Sequence, residues 1–215
     1  MKVHNTDKKL RGAYYTPKNL AGVMVGLSSV SDARTILEPS CGDGVFIEAL
    51  GECKDLRNDA LVDAIEIDEE ALLNAQRIQC GKATVNYHHR DFFEFYEEAK
   101  PGSYDLIVGN PPYIRYQYLE PEQRTLLADI LNRQGMRANK LVNAWVGFMV
   151  ACTDLLAEGG TLSFVIPAEI LQVVYAEDLR RFLARHYSNI TLLAFSKLVF
   201  SDIEQEIVVF IGKKG

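Results

Sequence analysis

Thr35-Ile36-Leu37-Glu38-Pro39-Ser40-Cys41-Gly42-Asp43-Gly44-Val45-Phe46 passes from an apolar triplet through a glycine-bearing turn into a second apolar run over residues 45–50. A strand that ends in such a turn and opens a helix is the first βα unit of a doubly wound sheet. Its glycines let a ligand approach the backbone closely. A lone G-x-G also reads as a plain tight turn, so the neighbouring residues decide. The third glycine of the dinucleotide fingerprint is replaced by Ile47, and the turn carries two acids, Glu38 and Asp43. Carboxylates at that helix N-terminus repel a pyrophosphate and attract a cation.

Working outward, Pro17 suits the first turn of a helix, and Leu20, Val23, Met24 and Leu27 share one face of it. Downstream, the pattern predicts strands over 61–67, 83–88, 104–108 and 161–166. Helices are predicted over 69–79, 122–132, 141–156 and 176–186, and two last strands over 190–195 and 205–211. This alternation predicts an α/β fold with a doubly wound, mostly parallel sheet of seven strands. A ligand then sits at the carboxyl ends of the strands. The last two strands are joined without an evident helix, which makes an antiparallel strand near the C-terminus the expectation there.

The chain has 215 residues, 48% hydrophobic and 24% charged, which suits a single soluble domain spanning residues 1–215 and excludes a disordered tail or a disulfide-dense scaffold. Residues 1–10 read as a flexible lead. Cys41, Cys53, Cys80 and Cys152 show no C-x-x-C spacing and read as free thiols of the cytoplasm. No apolar stretch is long enough to span a bilayer, so no membrane partner is expected. The net charge of −6 argues, taken alone, against a nucleic-acid partner. It is unevenly spread, however. Residues 38–70 hold eleven acids and two bases, a net −9, which leaves the rest of the chain at +3.

The acidity therefore surrounds the expected ligand loop. S-adenosylmethionine, with its sulfonium and ammonium, is a cationic ligand of the right kind. Glu66-Ile67-Asp68 follows the next strand, and Glu66 lies 22 residues beyond Gly44, near the spacing at which an acid meets ribose hydroxyls. Arg90-Asp91-Phe92-Phe93 follows the third strand. There Asp91 can accept an adenine amino group and Phe92 can pack on the ring. Asp91 alone reads equally as a helix N-cap, but three acids ending three successive strands are harder to read as caps.

The fourth strand ends in Gly109-Asn110-Pro111-Pro112-Tyr113-Ile114-Arg115-Tyr116. Two consecutive prolines remove two N–H donors and stiffen the chain. They leave carbonyl oxygens exposed beside an amide and an aromatic ring. An Asn-Pro turn with no chemical role is the other reading.

With these blocks in order, the sequence resembles an adenine-N6 DNA methyltransferase of the gamma class, the kind found in restriction–modification systems. The resemblance runs from about Arg11 to Ile211. It includes Gly12-Ala13-Tyr14-Tyr15-Thr16-Pro17 before the ligand loop, Gly159-Gly160-Thr161-Leu162-Ser163-Phe164-Val165-Ile166-Pro167, and Val199-Phe200-Ser201. The 110–116 run is most similar to fused type IIG enzymes. The fold implied is the Rossmann-like class I S-adenosylmethionine-dependent methyltransferase fold, and no metal is implied.

The resemblance also implies roles. Asn110 and Pro111 accept the two N–H bonds of a flipped adenine through a side-chain and a backbone carbonyl, with Pro112 stiffening the loop. Tyr113 and Phe200 flank the base; Phe200 alone also reads as core. Thr16 holds the cofactor's methionine carboxylate, Glu38 its amino group, and Glu66 its ribose. Asp91 and Phe92 hold its adenine, and Ser40, Gly42, Gly44, Ile67, Asn110 and Pro112 complete its contacts. Phe148 is an apolar wall of the pocket, or plain core.

His88 and His89 match no role, and the Glu52-Cys53-Lys54 spacing reads as chance. The family's C-terminal target-recognition domain is expected to be absent from this chain, supplied by a longer protein or another subunit, so that duplex DNA binds weakly here. Residues 113–140 carry five bases and three acids and either touch phosphates or form a solvated face. Rival readings are a protein-glutamine N5-methyltransferase of release-factor type, an RNA amino-methyltransferase, and a cofactor-binding module of a split enzyme without independent activity.

Overall fold

The computed structural model of the protein describes residues 16–137, 142–172, 176–195 and 206–215. Its apolar runs pair side by side. Strands β1 (Thr35–Glu38), β2 (Leu61–Glu66), β3 (Thr84–His89), β4 (Tyr104–Gly109), β5 (Leu156–Pro167), β6 (Tyr187–Ala194) and β7 (Ile207–Lys214) form one sheet in the order β3-β2-β1-β4-β5-β7-β6. Strands β1 to β5 are parallel, whereas β7 runs antiparallel to both β5 and β6. The switch in strand order lies between β1 and β4, and the crevice of a doubly wound sheet opens at the carboxyl side of that point.

Alternation along the strands divides the core into two layers. Ile36, Val62, Ala64, Leu106, Val108 and Val165 face helices α1 (Lys18–Gly26), α2 (Val45–Glu52) and α3 (Glu69–Ala75). Leu37, Ile65, Ile107, Leu162, Phe164 and Ile166 face α4 (Phe92–Glu98), α5 (Pro121–Arg133), α6 (Ala144–Leu155) and α7 (Glu177–His186). Both faces are covered, so the central strands read as near-continuous apolar runs. Helix α6 is apolar on nearly every side because all of its residues but Asp154 are buried.

Three local expectations need correction, and one helix joins the predicted set. Helix α1 buries Leu20, Ala21, Met24 and Val25, while Val23 and Leu27 are more than half exposed. The buried stripe is rotated, with Ala21 fully buried in place of Val23. Residues 92–98, following Asp91, form a full helix. Helix α3 ends at Ala75 rather than continuing to residue 79. Strand β5 starts at Leu156, where it pairs with Tyr104, five residues before the expected start. All four cysteines are free thiols. No helix among the described residues is long and apolar enough to cross a membrane.

Candidate active site at the carboxyl end of the sheet

The loop from β1 to α2 is built by backbone geometry. Gly42 and Gly44 have φ of +52° and +90°, values that L side chains rarely adopt. At Gly44 a Cβ would lie 2.7 Å from Ile78 and 3.0 Å from Ala75, so only glycine lets the loop pack against the C-terminal end of α3. At Gly42 a Cβ would meet nothing within 4 Å. That space is open for a ligand to lie against the backbone. The Cys41 amide donates to the Ile65 carbonyl at 2.8 Å, tying the loop to β2.

Glu38 ends β1. Alternation turns it away from Leu37, and it is completely buried. Neither of its carboxylate oxygens has a hydrogen-bond partner among the described residues. Burial, reinforced by the nearby charge of Glu66, pushes its carboxyl well above the usual carboxylate range. A buried acid with no donor is costly, and an ammonium group is the partner that would relieve it. Gly109, at the end of β4, lies beside it: a Cβ there would stand 3.9 Å from Glu38 Cγ and 3.4 Å from Pro39.

Glu66 ends β2 and is tied to the same loop. Its Oε2 accepts from the Gly42 amide at 2.8 Å, and its Oε1 accepts from the Ile67 and Asp68 amides at 2.9 Å each. Burial raises its carboxyl, and these three N–H groups oppose the rise. Three of about four acceptor directions are used, which leaves one for a ligand hydroxyl. Ile67, next to it, is an apolar side chain left 58% exposed at the rim.

Asp91 caps α4, so its plain structural reading holds: Oδ1 accepts from the Phe93 amide at 2.7 Å and the Glu94 amide at 3.3 Å. Its Oδ2 accepts from Gln123 Nε2 at 2.6 Å. Phe92 and Phe148 are both buried, and their rings are stacked with centroids 4.5 Å apart. The structure thus brings these two predicted residues together as one apolar wall.

The loop after β4 is pinned to the loop after β1, because Ser40 Oγ donates to the backbone carbonyl of Asn110 at 3.2 Å. Pro111 and Pro112 follow, and Tyr113 is partly buried between the two core layers. Beyond it the chain is zipped to the start of α6 by Ala144 N to Ile114 O at 2.8 Å and Tyr116 N to Val142 O at 3.0 Å. Thr16 is buried at the start of α1, whose Lys18 pairs with Glu48 and Glu52 of α2. Phe200 and residues 12–15 lie outside the described residues. Gln123 is the site residue that sequence reading missed. The Glu120-Pro121-Glu122-Gln123 start of α5 was legible as a helix N-terminus, but its reach to Asp91 is a tertiary contact.

The arrangement can hold a ligand with an ammonium, a ribose and an adenine in a row along the ends of β1, β2 and β3. This sheet order is that of the class I S-adenosylmethionine-dependent methyltransferase fold, and the Glu38 carboxylate, without a hydrogen-bond partner among the described residues, and the open face at Gly42 fit that cofactor. Comparison with known proteins agrees. The Eco57I restriction-modification methylase family matches residues 45–200. Type II methyltransferase M.HincII of Haemophilus influenzae is 29% identical over 95% of this chain and 37% of that protein. M.BanIII of Aneurinibacillus aneurinilyticus is 30% identical over 96% of this chain and 39% of that protein. Among solved structures, a DrdV–DNA complex superposes with a TM-score of 0.75 at 16% identity over 97% of this chain and 27% of that one. The type IIG restriction endonuclease BpuSI superposes at 0.70 with 19% identity over 99% and 27%. These structures share the fold.

The chain belongs to the Eco57I restriction-modification methylase family. It spans less than half the length of these curated relatives.

Proposed function

We propose that this chain is the catalytic domain of a cytoplasmic, site-specific DNA methyltransferase acting on the N6 amino group of adenine. The observation that carries this reading is the pinning of the Asn110-Pro111-Pro112-Tyr113 loop against the acidic cofactor loop by the Ser40–Asn110 hydrogen bond. Family membership and its type II methyltransferase relatives support DNA as the substrate.

Bound S-adenosylmethionine supplies an electrophilic methyl group on sulfur, open to in-line attack. The protein's task is to hold it and to prepare the nucleophile. Glu38 takes the ammonium, Glu66 a ribose hydroxyl, and Asp91 the adenine amino group. Ile67 and the Phe92–Phe148 wall enclose the adenine ring, with Thr16 on the methionine carboxylate. An adenine amino nitrogen is a poor nucleophile because its lone pair is delocalised into the ring. Asn110 Oδ1 and the Pro111 carbonyl accept its two N–H bonds, which favours a pyramidal nitrogen with the lone pair aimed at the methyl. The two prolines keep those acceptors from relaxing, so the gain comes from orientation and preorganised electrostatics. Leaving the duplex costs the base a few kcal/mol. Stacking on Tyr113 returns about 1–3 kcal/mol, and the resemblance assigns the opposite face to Phe200.

The test is transfer of labelled methyl from S-adenosylmethionine by the full-length protein to separate DNA, RNA and release-factor substrates. The product nucleosides are then identified by mass spectrometry. N6-methyladenine in DNA supports the reading. N5-methylglutamine, or label confined to RNA, contradicts it.

A further inference from the structure

Gln123 joins the cofactor site to the segment that follows the Asn110–Tyr113 loop, and both ends of its amide are committed. Its Oε1 accepts from the Glu120 backbone N–H at 3.2 Å. That contact fixes which end of the amide is the donor, and Nε2 therefore faces Asp91 Oδ2 at 2.6 Å. Asp91 in turn has Oδ1 occupied by the Phe93 and Glu94 amides. Of about four acceptor directions on this carboxylate, three are filled, and the one left on Oδ2 is fixed in direction by Gln123. A cap without Gln123 would leave two directions open on that oxygen.

We propose that Gln123 is a positioning residue for cofactor recognition: it leaves Asp91 a single directed acceptor, which selects a ligand bearing an N–H donor, and it couples that selection to helix α5. The inference rests on the proposed function in taking the adenine amino group as the donor. Helix α5 lies between the Asn110–Tyr113 loop and α6 in the chain and packs on both α4 and α6. A shift of α5 when the target loop engages a base would therefore move the Gln123 amide and change the affinity of the cofactor site, and by linkage the reverse holds.

The experiment is isothermal titration of the 215-residue chain with two ligands. One is S-adenosylmethionine; the other is its purine analogue, in which a hydrogen replaces the adenine amino group, so that no N–H donor is left on that edge of the base. The unsubstituted chain is expected to prefer S-adenosylmethionine by about tenfold or more, the discrimination typical of a site built around one hydrogen bond. Gln123→Ala is expected to lower that preference about fivefold by weakening S-adenosylmethionine selectively. Equal weakening of both ligands would mean that Gln123 only supports α5, and would overturn the proposal, as would an unchanged preference.

The pair Asp91→Asn/Gln123→Glu guards against a variant that unfolds. Asparagine still caps α4, and its amide donates to the new carboxylate, so the contact between helices survives. With the acceptor at position 91 replaced by an amide N–H, which cannot accept from the adenine amino group, the preference should vanish while the thermal midpoint stays near that of the unsubstituted chain. A retained preference in this pair contradicts the proposal. Failure of the unsubstituted chain to bind S-adenosylmethionine would overturn the proposed function as well; a lost preference in the pair with no effect of Gln123→Ala overturns only the role of Gln123, and a retained preference in both overturns the adenine contact of Asp91 too.

Discussion

Asp105 and Glu38 stand on adjacent strands at opposite ends of the sheet, and the protein treats them oppositely. Asp105, near the start of β4, accepts from the Arg34 amide at 2.8 Å, the Thr35 amide at 3.0 Å and the Thr35 hydroxyl at 3.1 Å. Burial acts to raise its carboxyl, but these donors outweigh it and hold the group below the usual carboxylate range. Glu38, at the end of β1, is buried with no donor among the described residues and pushed the other way. An acid that the fold satisfies is structural. An acid that is buried without a donor destabilises the free protein, and the proposed function gives it a ligand to serve.

The largest expected effect lies beyond both acids, at the loop that Glu38 adjoins. Asn110→Ala should reduce methyl transfer by the full-length enzyme about 10²–10³-fold, the scale of losing one preorganised polar contact to the reacting group. S-adenosylmethionine binding should change by less than about threefold. A retained rate in a radiolabel assay would remove Asn110 from the chemistry.

Glu38→Gln comes next, and it should separate binding from stability. Loss of the charged partner to the ammonium should weaken S-adenosylmethionine about 30- to 100-fold, since a hydrogen bond to a charged group is worth about 1.5–3 kcal/mol. The same substitution should raise the unfolding midpoint of the ligand-free chain at neutral pH, because the buried acid no longer has to shed its charge. A variant that binds as well as the parent, or that is less stable at neutral pH, would break the contrast with Asp105.

Asp105→Ala should do the reverse, lowering stability by about 1–2 kcal/mol through three orphaned donors while leaving cofactor affinity within about twofold.

The pH dependence of these two differences sharpens the comparison. A carboxyl raised by folding binds its proton more tightly in the native than in the unfolded state, so stability falls as pH rises through the unfolded value. The Glu38→Gln gain should therefore appear above about pH 4.3 and vanish below it. A lowered carboxyl gives the opposite sign. The contribution of Asp105 is present above about pH 3.9 and is lost as pH falls through its own lower value. Chemical denaturation across pH would check both slopes, and parallel slopes would contradict the account.

The smallest expected effect concerns DNA. This chain alone should bind duplex weakly and without sequence preference, and a tight, selective gel shift would contradict that.

Much of this was legible in the sequence because the relevant signals are local. Strand and helix alternation, the Gly42–Gly44 turn, the acids at Glu38, Glu66 and Asp91, and the proline-stiffened loop after Gly109 are each written in a few consecutive residues. What stayed hidden depends on partners far along the chain. Nothing in 18–27 shows that Ala21 rather than Val23 packs inward. Nothing near Asp91 reveals that Gln123, thirty-two residues later, would claim its second oxygen. The pairing of Phe92 with Phe148 is likewise a product of α4 meeting α6. The separation of an acidic segment of −9 from a remainder of +3 was readable, but only the structure distinguishes acids that are satisfied from one that is not.

The central claim is that the unsatisfied Glu38 marks an S-adenosylmethionine site. Calorimetric titration of this chain with S-adenosylmethionine, run beside Glu38→Gln at neutral pH, tests it most directly. The account predicts micromolar-order binding by the unsubstituted chain and a loss of about 30-fold or more in the variant. No heat from the unsubstituted chain, or equal affinity in the two proteins, would contradict it.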